Sequence, residues 1–485
     1  MELTELLKQQ IVNRMNIDNP WWANGAIDPD YKAMPHRLYI DLFYPLVKDV
    51  KIRRSIILMG PRRVGKTVLI FHTIQKLIMD GVSPQQIIYV SVETPIYSRI
   101  SLETLFTLAK GAVGKIDCKE PFYVFFDEIQ YLKEWEIHLK SLVDTYRNCK
   151  FVASGSAAAA LKKKSVESGA GRFTDFMLPP LTFNEFIHLK GYSNLIIPAE
   201  LKWAGQTIAS YSVVDMRRLN DLFLNYINYG GYPEVVFSDR MQADPGQYIR
   251  HDIIDKVLLR DLPSMYGISD VQELNTLFTV IAYHSGKEFS YEKLSMESGV
   301  KKETIRKYVE YLEAAFLIRV IHKTDENAKR FQRATSFKIY LTNPSLRCAL
   351  FQPLQNTDEE MGNMVETTIF AQWIQRSNAQ VYYANWKNGR KQGEVDLIGL
   401  HAATLKPSWA VEIKWSDHYY EHPGDLVSLL EFLNNNELKE AIVTSITKSG
   451  ERRQGDMRLL FIPAALYAYI VGKNTFEKKQ QLLGL

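Results

Sequence analysis

From residue 54 to about 190 the chain alternates short apolar runs with amphipathic stretches. The runs "RSIILMG", "IIYVSVE", "FYVFFDE" and "KFVASGS", separated by helical spacing, are the pattern of βα units around a parallel sheet. Upstream, the aromatic-rich "NPWWANGAIDPDY" and the helical "HRLYIDLFYPLVKDV" form a lead-in that packs on this first domain. Residues 191–285 lose the strand runs and read as mostly helical, broken by a turn at "YGGYPEV". At 286–343 the pattern gives a short helix, a turn at Gly299, a longer amphipathic helix and then strands ending at "FKIYLTN". The remainder resumes a mixed pattern: a helix through "GNMVETTIFAQWI", strand-like "AQVYYAN", "EVDLIGL" and "WAVEIKW", and a final helix–strand pair. The expected segments are therefore 1–50, 51–190, 191–285, 286–343 and 344–485.

Composition narrows this picture without changing it. A chain of 485 residues exceeds one core at roughly 150 residues per domain, and 46% hydrophobic with 24% charged residues is ordinary for a folded protein. Cys118, Cys149 and Cys348 lack any C-x-x-C spacing, which argues against a disulfide framework or structural zinc and for a reducing, cytoplasmic setting. The amphipathic "MELTELLKQQIVNRMN" has no apolar signal core. The longest apolar run, "LLFIPAALYAYIV", is broken by Pro463 and too short to span a bilayer, so no membrane partner is expected. A net charge of +4 permits nucleic acid without requiring it.

Candidate chemistry begins at "GPRRVGKT", residues 60–67, set between the strand "SIILM" and the helix "TVLIFHTIQKLI". Gly60, Gly65, Lys66 and Thr67 satisfy G-x-x-x-x-G-K-[ST]. In that context the loop Gly60, Pro61, Arg62, Arg63, Val64, Gly65, Lys66, Thr67 and Val68 wraps the phosphates with its backbone N–H groups, save at Pro61, which has none; Lys66 reaches the β/γ oxygens and Thr67 ligates Mg²⁺. "FYVFFDE" supplies Asp127 for the Mg²⁺ shell and Glu128 as general base, so hydrolysis of the nucleotide is the natural inference. Ser154, ending "KFVASGS" with Gly155 and Ser156, either senses the γ-phosphate or simply terminates a strand. Arg172, after a glycine-rich loop flanked by the lysines at 162–164, is either a finger reaching a neighbouring subunit's nucleotide or a surface arginine. The finger requires a homo-oligomer.

The segments "GPRRVGKT", "FFDEIQYLKEWE", "ASGSAAAAL" and "AGRFTDFMLPPLTFNEF" resemble the AAA-type ATPases of bacteria and archaea that carry a partner domain of unassigned function at the C-terminus. The resemblance continues through "YGGYPEVV", "LLRDLPSMYGI", "YLTNPSLRCAL", "MVETTIFAQWI" and "EVDLIG", nearly the whole chain. It implies a P-loop NTPase sheet with helices on both faces, ATP as ligand, and a loop in which Arg62 and Arg63 are usual. Whether those arginines touch nearby carboxylates or the phosphates stays open.

In the last segment Glu366 lies on the expected helix, Asp396 in "GEVDLIG", and Glu412 with Lys414 in "AVEIKW". Residues i and i+2 of a strand share a face, and a hairpin between Asp396 and Glu412 brings all three together. This acid–acid–lysine cluster resembles the PD-(D/E)xK nuclease core. That resemblance implies Asp396 and Glu412 as Mg²⁺ ligands, Glu366 as an additional one, and Lys414 as the residue that positions or activates water against a phosphodiester. The alternatives are a same-face surface ion pair with strand-edge acids at Glu394 and Asp396, or a nuclease-like fold kept for binding.

Residues 286–343 read as a winged helix. In "KKETIRKYVEYLEAAFLI", Ile305, Tyr308, Val309, Leu312 and Phe316 repeat at helical spacing, leaving Lys301, Lys302, Arg306 and Lys307 near the helix start. Such a helix either enters a DNA groove or, with Glu303, Glu310 and Glu313 beside the lysines, docks a protein. DNA is the favoured nucleic acid. The expected whole is an α/β chain: a P-loop sheet, a helical and winged-helix region, and a nuclease-like α/β domain at the C-terminus.

Overall fold

The near-continuous apolar runs become strands buried on both faces. The computed structural model describes residues 4–483 except 99, 116–119, 156–170, 204–205, 325–335, 375–380, 389–390 and 402. It divides into two compact units, Met1–Pro179 with Gln480–Leu485, and Pro180–Lys479.

The first unit carries β1 (Ser55–Met59), β2 (Ile87–Ser91), β3 (Tyr123–Asp127), β4 (Lys150–Gly155) and β5 (Phe173–Met177). They form one parallel sheet in the order β2-β3-β4-β1-β5. Helices α3 (Lys66–Met79), α4 (Leu102–Ala112) and α5 (Trp135–Thr145) make the crossovers, and covering helices are why β1 and β3 hold no exposed position. This is a P-loop NTPase fold. The chain leaves β1, next to β4 and β5, for β2 at the far edge, so β1 and β4 flank a topological switch point, where α/β sheets bind ligands outside the strands' carboxyl ends.

The lead-in supplies α1 (Glu5–Asp18) and α2 (Ile40–Lys48), and between them covers the exposed margin of β2 with side chains. Asn19 Nδ2 donates to Tyr89 O at 2.9 Å and its Oδ1 accepts from Tyr89 N at 2.7 Å, while Trp21 and Trp22 Nε1 donate to Ile87 O at 3.0 and 2.8 Å. Buried backbone groups of an edge strand need partners, and the "NPWW" segment provides them.

The second unit opens with α6 (Phe183–Leu189), started by a capping box of Thr182 and Glu185. An antiparallel hairpin of β6 (Ile196–Trp203) and β7 (Gln206–Val213) follows, then α7 (Met216–Tyr229). The mostly helical reading of 191–285 misses this hairpin; "IIPAELKW" and "QTIASYSV" carry β-branched and aromatic residues, a strand signal masked by the polar residues among them. Next come α8 (Val271–Tyr283), β8 (Glu288–Ser290), α9 (Tyr291–Ser298), α10 (Lys302–Ala314), β9 (Ile318–Thr324) and β10 (Ser336–Leu341), with β9, β10 and β8 antiparallel. The C-terminal part adds α11 (Met361–Ile374), β11 (Val381–Asn388), β12 (Lys391–Leu400), β13 (Pro407–Glu412), α12 (Val427–Asn435), β14 (Glu440–Ser445), β15 (Gly450–Gln454) and β16 (Met457–Pro463).

One mixed sheet runs through all of these strands in the order β15-β16-β14-β13-β12-β11-β9-β10-β8. Strands β11, β12 and β13 form an antiparallel meander and β14 lies parallel to β13 beyond the crossover α12. Both faces are packed: Val365, Ile369, Tyr383, Leu397 and Val411 share one core, and Ala384, Val395, Ile398, Leu429 and Phe432 the other. Among the described residues no helix is long and apolar enough to cross a membrane. Cys149 and Cys348 are free thiols; Cys118, like Ser156 and the lysines at 162–164, lies outside the described residues.

Candidate functional site

At the carboxyl end of β1 the loop turns tightly enough to require its glycines. A Cβ on Gly60 would collide with the carbonyl oxygen of Leu178, and Gly65 holds φ at 92°. Gly60→Ala is therefore expected to destabilise the chain by about 1–3 kcal/mol, the usual cost of overpacking. A urea midpoint equal to that of wild type, at unchanged slope, would contradict the close approach.

Lys66 is 6% exposed, and its Nζ donates to Gly60 O at 3.0 Å and Pro61 O at 2.7 Å, which holds the ammonium over the loop. Arg37 from the lead-in, also buried, donates to Val64 O at 2.7 Å and Pro179 O at 3.1 Å and so props the loop from behind. No loop motif announces Arg37. Arg62 is half-buried and its charge acts on Glu128; Arg63 is exposed with φ 61°, and Val68 is half-buried on the first turn of α3.

Asp127, 2% exposed at the end of β3, gathers three hydroxyls. Thr67 Oγ1 donates to Oδ2 at 2.7 Å, Tyr89 OH donates to Oδ2 at 3.0 Å, and Ser154 Oγ donates to Oδ1. Because β4 lies between β1 and β3, Ser154 stands between the loop and the acid. Tyr89 was hidden in the sequence as one more aromatic of an apolar run; only the register, which sets it two residues before the partner of Asp127, reveals the contact. Glu128 follows with φ 54° and accepts from Gln130 Nε2. Burial raises its pKa, opposed by the charges of Lys66 and Arg62 and assisted by that of Asp127. The Thr67 hydroxyl and the Asp127 carboxylate are hard oxygen donors at one place and fit a magnesium ion. Arg172 is not part of this constellation: it precedes β5 at the amino end of the sheet, half-exposed, with Nε 3.0 Å from Asp144 Oδ1.

The second constellation is in the other unit. The register Leu397↔Val411 sets Asp396 opposite Glu412, and Asp396 Oδ2 accepts from Ile413 N at 2.8 Å. Lys414 Nζ lies 2.7 Å from Glu412 Oε1 and 3.9 Å from Asp396 Oδ2. Opposite them, Lys338 of β10 lies 2.8 Å from Glu366 Oε1, 2.6 Å from Glu394 Oε1 and 3.9 Å from Asp396 Oδ1. Tyr340 OH donates to Glu366 Oε1 at 2.5 Å, and Asn385 Nδ2 to Glu394 Oε2 at 2.9 Å. At a bulge in the β11–β12 pairing, Asp396 and Leu397 together oppose Tyr383; the irregularity returns Leu397 to the core beside Val365 and Ile369.

Burial is the leading influence on both deep acids. It pushes Glu366 up to about 7 against the opposing charge of Lys338, and Glu412 up to about 8, with Asp396 adding to the rise and Lys414 opposing it. Glu394 is instead held below its usual range, the Lys338 charge and the hydrogen bonds from Lys338 and Asn385 outweighing its burial. Glu412 Oε2 is buried and meets no hydrogen-bond partner among the described residues. Among those residues no group of three or more His, Cys, Asp or Glu is disposed to hold a metal ion, and the Lys338 ammonium is what separates Glu366 from Asp396. Two carboxylates, Asp396 and Glu412, with an unpartnered oxygen on the latter, do fit one magnesium ion, which takes few protein ligands and keeps waters or phosphates.

On α10, Ile305, Tyr308, Val309 and Leu312 are buried, while Lys302, Arg306 and Lys307, with Lys301 just before the helix, face solvent; Phe316, expected to continue the helical repeat, lies past the helix end with φ 59° and is half-buried. Lys302 pairs with Glu292 and Arg306 lies over the Tyr291 ring at 5.0 Å, and Tyr311 stacks on Tyr266 at 3.8 Å.

Residues 52–187 match the family described as AAA domain, and residues 220–359 a domain of unknown function (DUF8612). An uncharacterized protein of Methanocaldococcus jannaschii is 24% identical over 363 residues, 72% of this chain and 74% of that protein. Among solved structures, the S. cerevisiae Hsp104–ADP complex is similar at 15% identity with a TM-score of 0.30, covering 59% of this chain but only 39% of that one. The replication initiator DnaA bound to AMPPCP and single-stranded DNA is similar at 12% identity with a TM-score of 0.29, over 59% of this chain and 92% of that one. With the loop geometry, the family match makes residues 52–187 an AAA-type ATPase domain.

Proposed function

We propose that this chain is a magnesium-dependent ATP hydrolase whose nucleotide cycle controls a nuclease-like C-terminal domain acting on nucleic acid, DNA in preference to RNA. Lys66 and the loop amides bind the phosphates, Thr67 and Asp127 hold the magnesium ion, Ser154 aligns Asp127, and Glu128 takes the proton of the attacking water. A divalent ion at either site supplies neutralisation of charge on phosphate oxygens. If Arg172 acts as a finger, it does so on the nucleotide of a neighbouring copy, which makes the working form a homo-oligomer.

The observation that carries the nuclease-like reading is the helix–meander–helix–strand order α11-β11-β12-β13-α12-β14 with Asp396 opposite Glu412 and Lys414 beside both. In that arrangement Asp396 and Glu412 hold the ion and Lys414 orients water toward a phosphodiester. The helices α9 and α10 with the antiparallel β8, β9 and β10 have the order of a winged helix, and its solvent-facing lysines would meet a DNA backbone.

A second reading, a nucleotide-switched binding module with an inactive nuclease-like domain, draws support from Lys338, whose ammonium fills the space beside Glu366 and Asp396. Incubation with plasmid and Mg²⁺ or Mn²⁺ separates the two. Cleavage by wild type that disappears in Asp396→Ala and in Glu412→Ala establishes the first; intact DNA and RNA with either metal, alongside a gel shift, establishes the second.

A further inference from the structure

The carboxylates of the C-terminal cluster do not share their cations equally. Four of them, Glu366, Glu394, Asp396 and Glu412, face two ammonium groups, Lys338 and Lys414. Lys338 is 2% exposed and comes from β10, which β11 and β9 separate from β12, the strand that carries Asp396. Its Nζ makes close contacts to Glu366 and Glu394 and only a distant one to Asp396. Tyr340, from the same strand, donates to the Glu366 oxygen that Lys338 holds. Glu366 and Glu394 thus share one internal cation and are hydrogen-bonded in place, by Tyr340 and Asn385. Glu412 differs: one oxygen is taken by Lys414 and the other is buried without a hydrogen-bond partner among the described residues. A buried carboxylate oxygen left in that state is costly unless something else coordinates it.

We infer that Lys338 is a built-in cation that withdraws Glu366 and Glu394 from metal ligation, so that the cluster takes a single divalent ion, on Asp396 and Glu412. The inference rests on the reading that this cluster binds a divalent ion at all. It assigns Glu366 a positioning role, through Lys338, in place of the ligand role that its location on the first helix of the domain invites. Lys338 occupies the place where a second ion would otherwise be held by Glu366, Glu394 and Asp396, and a protein cation there cannot dissociate.

Mn²⁺ titration of the full-length, nucleotide-free protein, followed by the electron paramagnetic resonance of the free ion, tests this, with folding checked by circular dichroism. The ions belonging to the cluster are those lost in both Asp396→Asn and Glu412→Gln. One such ion is expected in wild type. It should survive Glu366→Gln with an affinity within about threefold, because that residue's partner is Lys338 and not the ion, whereas loss of a ligand removes the ion, as in Asp396→Asn and Glu412→Gln. Lys338→Gln should admit a second ion. Two cluster ions in wild type, a tenfold loss in Glu366→Gln, or a folded Lys338→Gln protein that still takes one ion would each overturn the inference while leaving metal binding intact. If Lys338→Gln does not fold, the wild-type count and the Glu366→Gln affinity decide alone. No ion lost in Asp396→Asn and Glu412→Gln defeats the metal reading itself.

Discussion

Glu128→Gln is expected to keep ATP bound and to slow its hydrolysis by about 10²- to 10⁴-fold, the contribution of a positioned general base. The side chain stands at the end of β3 in a left-handed conformation that non-glycine residues seldom adopt, directly after the acid that faces Thr67. Burial raises its pKa, which makes it a better proton acceptor than an exposed carboxylate, while Lys66 and Arg62 nearby limit the rise. Glutamine preserves shape and removes the basic oxygen, so a loss confined to turnover, with nucleotide affinity retained, isolates the base. Phosphate release under saturating ATP, compared with calorimetric binding, checks both halves; turnover at the wild-type rate would assign the base elsewhere.

Lys66→Ala acts one step earlier and should abolish nucleotide binding in practice. Its ammonium is buried and held by two loop carbonyls at 2.7 and 3.0 Å, oxygens that a phosphate would replace as partner. Hydrogen bonds to charged groups contribute about 1.5–3 kcal/mol each, so loss of two such contacts raises Kd by about 10²-fold or more. Calorimetric titration with a non-hydrolysable ATP analogue measures it. Affinity within a few-fold of wild type would mean that Arg62 and Arg63 carry the phosphates and that the loop works differently from its motif.

Much of this architecture was legible in the order of residues because buried parallel strands and amphipathic helices leave opposite periodicities. The loop at 60–67 and the acids at 127 and 128 are local in sequence, each fixed by a strand end, and so could be found without coordinates. The spacing from Asp396 to Glu412 and the shared face of Glu412 and Lys414 were equally readable, since a hairpin and a two-residue repeat are short-range geometry. What stayed hidden is long-range. Tyr89 meets Asp127 only through strand register, Arg37 reaches the loop from the lead-in, and Lys338 reaches Glu366, Glu394 and Asp396 from a strand that sequence reading places in another segment. The hairpin at 196–213 was missed for a different reason: a two-stranded ribbon with polar residues on both faces lacks the apolar contrast from which strands are recognised.

The residues Asn19, Trp21 and Trp22 meet backbone groups of β2 that another polypeptide would otherwise seek. Shortening the protein from its amino side past these residues would uncover an adhesive seam, ready to zip onto any extended strand in solution. What reads as a preface to the catalytic fold thus also guards the chain against self-association.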